Sequence, residues 1–415
     1  MKTVRLEPLT RVEGHGRVDL ILSHGRLIDV HLSLLESPRL FEGLVLGQSF
    51  KQVPALVCRI CAICTGVHRV VAAEALEGAR GLTIPPAARL VRELLLLGGH
   101  LESHALHLFC LVLPDLRGRD SVVELLQDGD TVAREGLALK NLANRIQELA
   151  GGRVIHPTNV EVGGVLQLPH RQGLTDLLAD LEGWRERLEP LTELFGDAGN
   201  YPPAKPAAGI RIAVAGDSAL TLQGDALILS DGRRVPGGGY ASLLGERPVA
   251  HSHAKQARGA EGATFLAGAL ARVELTAGGL PGPFSQAGIY ANNAAQALEL
   301  GWALERCRTL AEGLLECTAD EPLRVPAPPG AGVGTAVIEA PRGLLVHHYV
   351  LDDLGRVVAA DIVTPTAINQ ATIEAQLLHN LAGMTDVEAM KQQAAQIVRA
   401  FDPCISCAVH VLEKR

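Results

Sequence analysis

Two cysteine pairs at opposite ends of the chain, Cys61-Ala62-Ile63-Cys64 and Cys404-Ile405-Ser406-Cys407, constrain the fold more than any other feature. A two-residue spacer lets both sulfurs of such a turn face one point, and two turns can supply four thiolates to a soft metal such as zinc, iron or nickel. An imidazole follows each pair, at His68 and His410. Zinc ribbons and knuckles close local loops. Here Cys64 and Cys404 stand 340 positions apart, so a shared site stitches both ends of a large domain into one buried centre. Spacing alone leaves a structural zinc site open. It also leaves the first pair ambiguous, because Cys58 stands three before Cys61. A thioredoxin-like redox pair fits poorly, since no βαβ unit surrounds either motif. The other thiols, Cys58, Cys110, Cys307 and Cys317, read as small buried hydrophobes.

The rest of the chain can bury such a centre. Its 415 residues are 47% hydrophobic and 20% charged, which excludes wholesale disorder. A net charge of -8 offers no broad basic surface to phosphates or lipid head groups, and 3% aromatic residues are too few for base-stacking platforms, so nucleic acid is not an expected partner. The N-terminus has no apolar stretch behind Lys2 and Arg5 and does not read as a secretory signal; the expected location is cytoplasmic. The apolar stretches 94–97 and 106–113 fall short of the roughly 18 residues of a membrane span, so no direct membrane span is expected.

The fold class expected is mainly α with smaller β parts (α+β): a long-helix core bundle, an N-terminal β-hairpin region at 1–35 and a β-rich lobe at about 204–260, within one domain of residues 1–415. Partly alternating apolar residues flank His24-Gly25 and predict the hairpin. Helical periodicity runs over about 86–113, 121–150, 173–195 and 286–317. The leucines of 174–194 step by three or four and read as core. β-type runs at 210–214 and 226–229 mark the lobe. Thr385 followed by Glu388 predicts a capping box for the last helix, which Pro403 stops. Runs 344–351 and 356–363 around Asp352-Asp353-Leu354-Gly355 predict a second hairpin, which brings Arg342 opposite about 365 and so beside Thr366.

Further short segments carry a resemblance. Arg59-Ile60-Cys61-Ala62-Ile63-Cys64 with His68, and Asp402-Pro403-Cys404-Ile405-Ser406-Cys407 with His410, are similar to the two metal-binding motifs of nickel-iron hydrogenase large subunits. Arg11-Val12-Glu13-Gly14-His15, Pro38-Arg39-Leu40-Phe41-Glu42, Gly152-Arg153-Val154-Ile155-His156-Pro157, Glu339-Ala340-Pro341-Arg342-Gly343 and Thr364-Pro365-Thr366-Ala367-Ile368-Asn369 agree in order along the chain. The resemblance covers the whole length, is closest to the compact cytoplasmic type, and selects Cys61 over Cys58.

It implies that Cys61 and Cys404 bind nickel terminally while Cys64 and Cys407 bridge it to an iron bearing CO and CN ligands. Glu13 then takes a proton from Cys404. Arg342, with Pro341 of the same motif, lies at the cofactor and contacts one cyanide, and Thr366 donates to the other. Asp115 resembles the acid that holds that arginine. Glu42, the carbonyl of Ile362 and His410 match a neighbouring Mg site. The activity implied is reversible oxidation of H2 to protons and electrons. Four thiolates at the centre leave no cysteine pattern for an iron-sulfur relay, so the resemblance implies a partner, the iron-sulfur small subunit, with further electron-transfer subunits and a maturation protease as additional partners.

Blander readings stand beside each residue. Glu13 reads equally as a solvated carboxylate, Arg342 as a turn residue in a surface ion pair, Glu42 as a cap, and His104 with His107 as core histidines. His68 is expected to bond backbone carbonyls. Ala62 stands where the resembling family has glycine, so that turn does not need a glycine-only conformation. The five residues after His410 either are removed or stay. Two other functions compete: a hydrogen-sensing subunit with the same site, and a non-enzymatic scaffold like the quinone-site subunit of respiratory complex I, holding a structural metal.

Overall fold

The computed structural model describes residues 1–37, 40–280, 287–318 and 320–409, and its architecture is the expected α+β mixture dominated by helices. At the N-terminus β1 (Lys2–Leu6), β2 (Gly16–Ser23) and β3 (Arg26–Leu34) form an antiparallel sheet in that order. The expected hairpin is β2–β3, and its turn residues His24 and Gly25 both have positive φ, the conformation that matches strand twist in a two-residue turn. Sequence reading misses β1. That strand fully buries only Val4 and so carries little apolar signal.

Two short helices, α1 (Phe41–Val45) and α2 (Val53–Val57), lead into α3 (Thr65–Ala79). Next α4 (Pro86–Ala105) runs through a π-helical stretch, Leu106–Val112, into α5 (Leu113–Arg117). The expected helix at 121–150 is two, α6 (Val122–Gln127) and α7 (Thr131–Gly151). Asp128-Gly129-Asp130 breaks it: Gly129 has φ +81°, and the Asp130 carboxylate accepts from the Ala133 N–H to cap α7. A two-residue ladder, β4 (Val160–Glu161) with β5 (Gly164–Val165), follows. The leucine run 173–195 divides at Gly183 into α8 (Arg171–Glu182) and α9 (Trp184–Gly196).

The lobe contains β6 (Ile210–Val214), β7 (Gln223–Gly224), β8 (Ala226–Leu229), β9 (Arg234–Pro236), β10 (Gly245–Pro248), β11 (Lys255–Arg258) and β12 (Phe265–Leu266). Then come α10 (Ala269–Thr276), α11 (Ala291–Glu316), β13 (Gly332–Ala340), β14 (Gly343–Leu351), β15 (Val357–Val363), α12 (Pro365–Leu381), α13 (Val387–Ala400) and α14 (Ile405–Ala408). The helix from Pro86 to Arg117 is long and apolar enough to cross a membrane, which the broken apolar stretches do not suggest. Its apolar window is 83% buried, packed on α7 and α11, so it is a core helix.

The predicted hairpin is β14–β15, with Val346 opposite Val363. It belongs to a four-stranded sheet, β15-β14-β13-β7, that also draws one strand from the lobe. Strand β13 escapes sequence reading because glycine weakens the strand signal at Gly332 and Gly334. Contact with α3 requires glycine at Gly334: a Cβ there would stand 1.9 Å from the Ala75 carbonyl oxygen. The last long helix, α13, is capped by Asp386, whose carboxylate accepts from the Glu388 and Ala389 N–H groups. Thr385 is therefore not the cap. An aspartate one residue later offers the same short acceptor with a negative charge at the helix start.

Candidate metal centre

The Pro341-Arg342 turn between β13 and β14, the α2–α3 turn and the α13–α14 turn meet at one buried place. Cys64 is the N-cap residue of α3 and Cys404 that of α14. The sulfurs Cys61–Cys404, Cys64–Cys407 and Cys404–Cys407 are 3.5, 3.0 and 2.8 Å apart, and all four thiols are buried. These separations exceed a disulfide bond of about 2.05 Å and lie within reach of shared ions, whose bonds to thiolate run near 2.3 Å. Cys58 lies outside this group; its sulfur donates to the Ala55 carbonyl. The ambiguity left by spacing is resolved by place in the fold.

Ionisation across the group is uneven. Hydrogen bonds from Cys404, Cys407 and Cys64, aided by the Arg342 charge, hold Cys61 well below the ordinary thiol range. Burial pushes Cys404 and Cys407 well above it. One thiolate forms readily, and the full set calls for cationic charge at the centre.

Arg342 is buried and supplies part of that charge. Its Nε donates to Asp402 Oδ1 at 3.0 Å, while Nη1 is a buried nitrogen with no hydrogen-bond partner. Burial works against the charged form, and Asp402 with Cys404, Cys61 and Cys64 more than reverses it, so the guanidinium stays charged. A four-cysteine zinc site has no use for a buried guanidinium nitrogen, Nη1, left without a partner beside it. An anionic, hydrogen-bond-accepting ligand on the metal does. Gly343, the next residue, has φ +129°, and a Cβ there would lie 2.7 Å from the Gly268 backbone nitrogen.

Thr366, at the start of α12, accepts the Cys404 N–H through Oγ1 at 2.8 Å and keeps its own hydroxyl hydrogen to donate. Glu13 lies against the same turn. Its backbone carbonyl accepts from Ile405 N–H at 3.0 Å, and its carboxylate accepts from the Ser406 N–H at 3.1 Å and from the Ser406 hydroxyl. Gly14 follows with φ +87°, and a Cβ there would come within 2.8 Å of Ile405 Cβ, so that crossing admits only glycine. Ala62 has no positive φ, as its alanine side chain demands.

Asp115 requires a correction. It accepts from Arg11 Nη2 at 2.6 Å and from Arg399 Nε at 2.7 Å, and the acid on Arg342 is Asp402. Asp115 thus ties the loop carrying Glu13 to the end of α13, one step before the second cysteine pair. Asp402 has φ +50°, a left-handed conformation that aspartate tolerates, and this turn aims its carboxylate back at Arg342.

Glu42 is no cap: its Oε1 accepts from Ile362 N–H at 3.0 Å. With Glu246 and Asp361 it forms a second acidic cluster, which Lys255 approaches at 3.3 Å from Glu246 and 3.9 Å from Glu42. Burial raises Glu246 to about 7, so this cluster too favours an added cation. His410, the third expected ligand there, lies outside the described residues, as do Pro38 and Arg39. His68 Nδ1 meets His347 Nε2 at 3.1 Å, a side-chain partner, and His347 Nδ1 meets the Tyr349 hydroxyl. His104 and His107 are buried and bonded to Glu299 and Gln296.

Asp402, Glu246, Asp361 and Lys255 are site residues that sequence reasoning does not single out. Asp402 has a signal that could find it, since it opens the second cysteine motif. The other three come from a sheet and a hairpin distant in sequence and carry no local signal.

The chain is similar to hydrogenases. A family model described as "Nickel-dependent hydrogenase" matches residues 39–121 and 288–410, and one described as "HoxL-like" matches 3–36. The chain is 37% identical to the alpha chain of sulfhydrogenase 2 of Pyrococcus furiosus over 99% of each chain. It is 35% identical to the alpha chain of sulfhydrogenase 1 of the same organism, over 99% of this chain and 98% of that one. An NAD+-reducing [NiFe]-hydrogenase in the H2-reduced state superposes with a TM-score of 0.88 at 28% identity, covering 99% of this chain and 100% of that one.

Proposed function

The chain belongs to the nickel-dependent hydrogenase family as a large, catalytic subunit, an oxidoreductase acting on H2, and on that premise we propose the part each site residue plays. Cys61 and Cys404 would hold the nickel, and Cys64 and Cys407 the nickel together with the iron. When bound, the nickel-iron centre supplies the splitting of H2 into two protons and two electrons. The observation that carries the assignment is the meeting of four thiols from both chain ends beneath an arginine nitrogen that has no protein partner.

Arg342 Nη1 and the Thr366 hydroxyl would be the donors to cyanide ligands of that centre, with Pro341 shaping the turn that presents Arg342; carbon monoxide, a poor acceptor, would need no such donor. Glu13 receives the proton from the Cys404 sulfur. Its carboxylate is half-buried beside the Cys404 turn, and the next residues, Gly14 and His15, are exposed, so the proton leaves toward that surface. Asp115 positions Glu13 through Arg11. Glu42 and Ile362, with His410, hold Mg, which the acidic cluster of Glu42, Glu246 and Asp361 suits because three neighbouring carboxylates need a cation. Among the described residues no second cysteine cluster exists, so electrons leave through an iron-sulfur small subunit, then through further electron-transfer subunits. The complex is cytoplasmic and the chain acts as one catalytic domain; a maturation protease is a further partner, and the tail after His410 either is removed or stays.

Metal analysis and infrared spectroscopy of the purified complex test the centre. One nickel and one iron per chain with diatomic-ligand bands is the expected result; zinc alone overturns it. Replacing Glu13 with Gln is expected to lower H2/D+ exchange about 100-fold or more with metals retained. Exchange at the wild-type rate removes Glu13 from the proton path.

A further inference from the structure

Arg342 sits between two buried polar arms. Asp402 begins the first: its Oδ1 binds Arg342, and its Oδ2 accepts from Gln296, whose Oε1 lies 2.5 Å from His107 Nδ1. The second arm begins at Arg272 on α10, 1% exposed and outside the cysteine group. All five of its N–H donors are used. Nε donates to Glu299 Oε1 at 2.7 Å, Nη1 to Glu339 Oε2 at 2.9 Å and the Ala340 carbonyl at 3.1 Å, and Nη2 to Glu299 Oε2 at 2.7 Å and the Pro341 carbonyl at 3.0 Å.

The two carbonyls belong to the residues immediately before Arg342: Ala340, the last residue of β13, and Pro341, the first of the two-residue turn that carries it. Each carboxylate is itself fixed: Glu299 by His104 at 2.8 Å, Glu339 by the Val214 N–H at 2.8 Å. A buried ion group of this kind seldom adds stability over apolar residues of equal volume, because desolvation offsets the attraction. It does impose direction. A planar guanidinium with every donor engaged admits one orientation, and a lysine in its place offers a point charge with three rotatable donors.

We propose that Arg272 is a positioning residue for Arg342: by gripping the Ala340 and Pro341 carbonyls it sets where the Arg342 Nη1 hydrogen points over the metal centre. The inference rests on the assignment of cyanide as the acceptor of that hydrogen. Arg272 touches neither H2 nor the metal ligands; its effect passes through the turn.

The test compares the purified complex carrying Arg272→Lys with wild type and with Arg92→Lys. Arg92 is a structural twin placed away from the centre, fully buried, with two bonds to Glu77 and two to the carbonyls of Glu161 and Gly164. With nickel and iron content matched, R272K is expected to displace the cyanide stretching bands and to lower kcat about tenfold with KM for H2 nearly unchanged. R92K lowers thermal stability while the bands stay in place. Wild-type bands and kcat in metal-loaded R272K overturn the proposal. Should R272K not accumulate, Glu299→Gln loosens the same guanidinium without changing shape: displaced bands support the proposal and unchanged bands overturn it. A wild-type spectrum lacking diatomic bands overturns the ligand assignment itself, and this inference falls with it, a result distinct from wild-type bands that ignore the variants.

Discussion

Single atoms decide the centre's shape. Thr366 Oγ1 accepts from the buried Cys404 N–H, so Thr366→Val leaves a buried donor unmet and costs about 1–3 kcal/mol of stability, whereas Thr366→Ser restores the bond. Denaturant titration of the two variants checks the difference; equal midpoints for valine and serine would show that the bond contributes nothing. The same scale explains what sequence reading can and cannot assign. Glu13, Arg342 and Thr366 are legible because each sits inside a short motif, and the glycines beside the first two, Gly14 and Gly343, have backbone reasons for their residue type. Asp115 is legible as an acid with an arginine partner, but not as the partner of Arg11 and Arg399. Which of three buried or half-buried arginines it meets depends on where helix α13 ends relative to the Glu13 loop, and no local pattern encodes that.

At the scale of elements, α3 links the first cysteine pair to the sheet beneath it. Glu74 on this helix receives a hydrogen bond from Gln223 of β7, and burial raises its carboxyl from 4.5 to about 7, with Arg92 opposing and Glu77 adding. A folded-state pKa above the unfolded value means that the folded chain binds more protons between those limits. The stability this contributes is full below about pH 4.5 and is lost as pH rises through 7, a change of roughly 3 kcal/mol. His100 acts in the opposite sense over lower pH: burial depresses it to about 3, so its contribution is lost as pH falls below the ordinary value of 6.5. Glu74→Gln is therefore expected to gain stability relative to wild type between pH 5 and 8. Melting curves across that range check it; a constant difference between the two proteins would mean that Glu74 is ionised throughout. Element types are mostly legible from periodicity, and breaks within them are not. Gly183 divides a leucine run whose spacing continues across it, so the pattern carries no mark of the bend.

For the whole molecule, the two ends of the chain are crossed before they are clamped. Glu13 and Cys404 pair as a lone β-bridge, and Asp115 binds arginines from both termini. Metal bound by thiols from both pairs adds its binding free energy to this closure. Removing the metals is expected to lower the melting temperature and to speed amide exchange first at residues 10–15 and 402–409, as followed by hydrogen exchange with mass spectrometry. Protection that does not change at those segments would mean that packing alone holds the termini together.

Residue type and spacing by themselves determined the two cysteine turns, the hairpin that presents Arg342 and the abundance of helix, because each depends on residues close together along the chain. The tertiary structure alone decided that the thiols of both chain ends meet in one buried place, which acid holds Arg342, and that Arg272 grips the carbonyls before it. Those contacts join positions tens to hundreds of residues apart, and their partners are fixed by how helices and sheets pack, which no periodicity along the chain records.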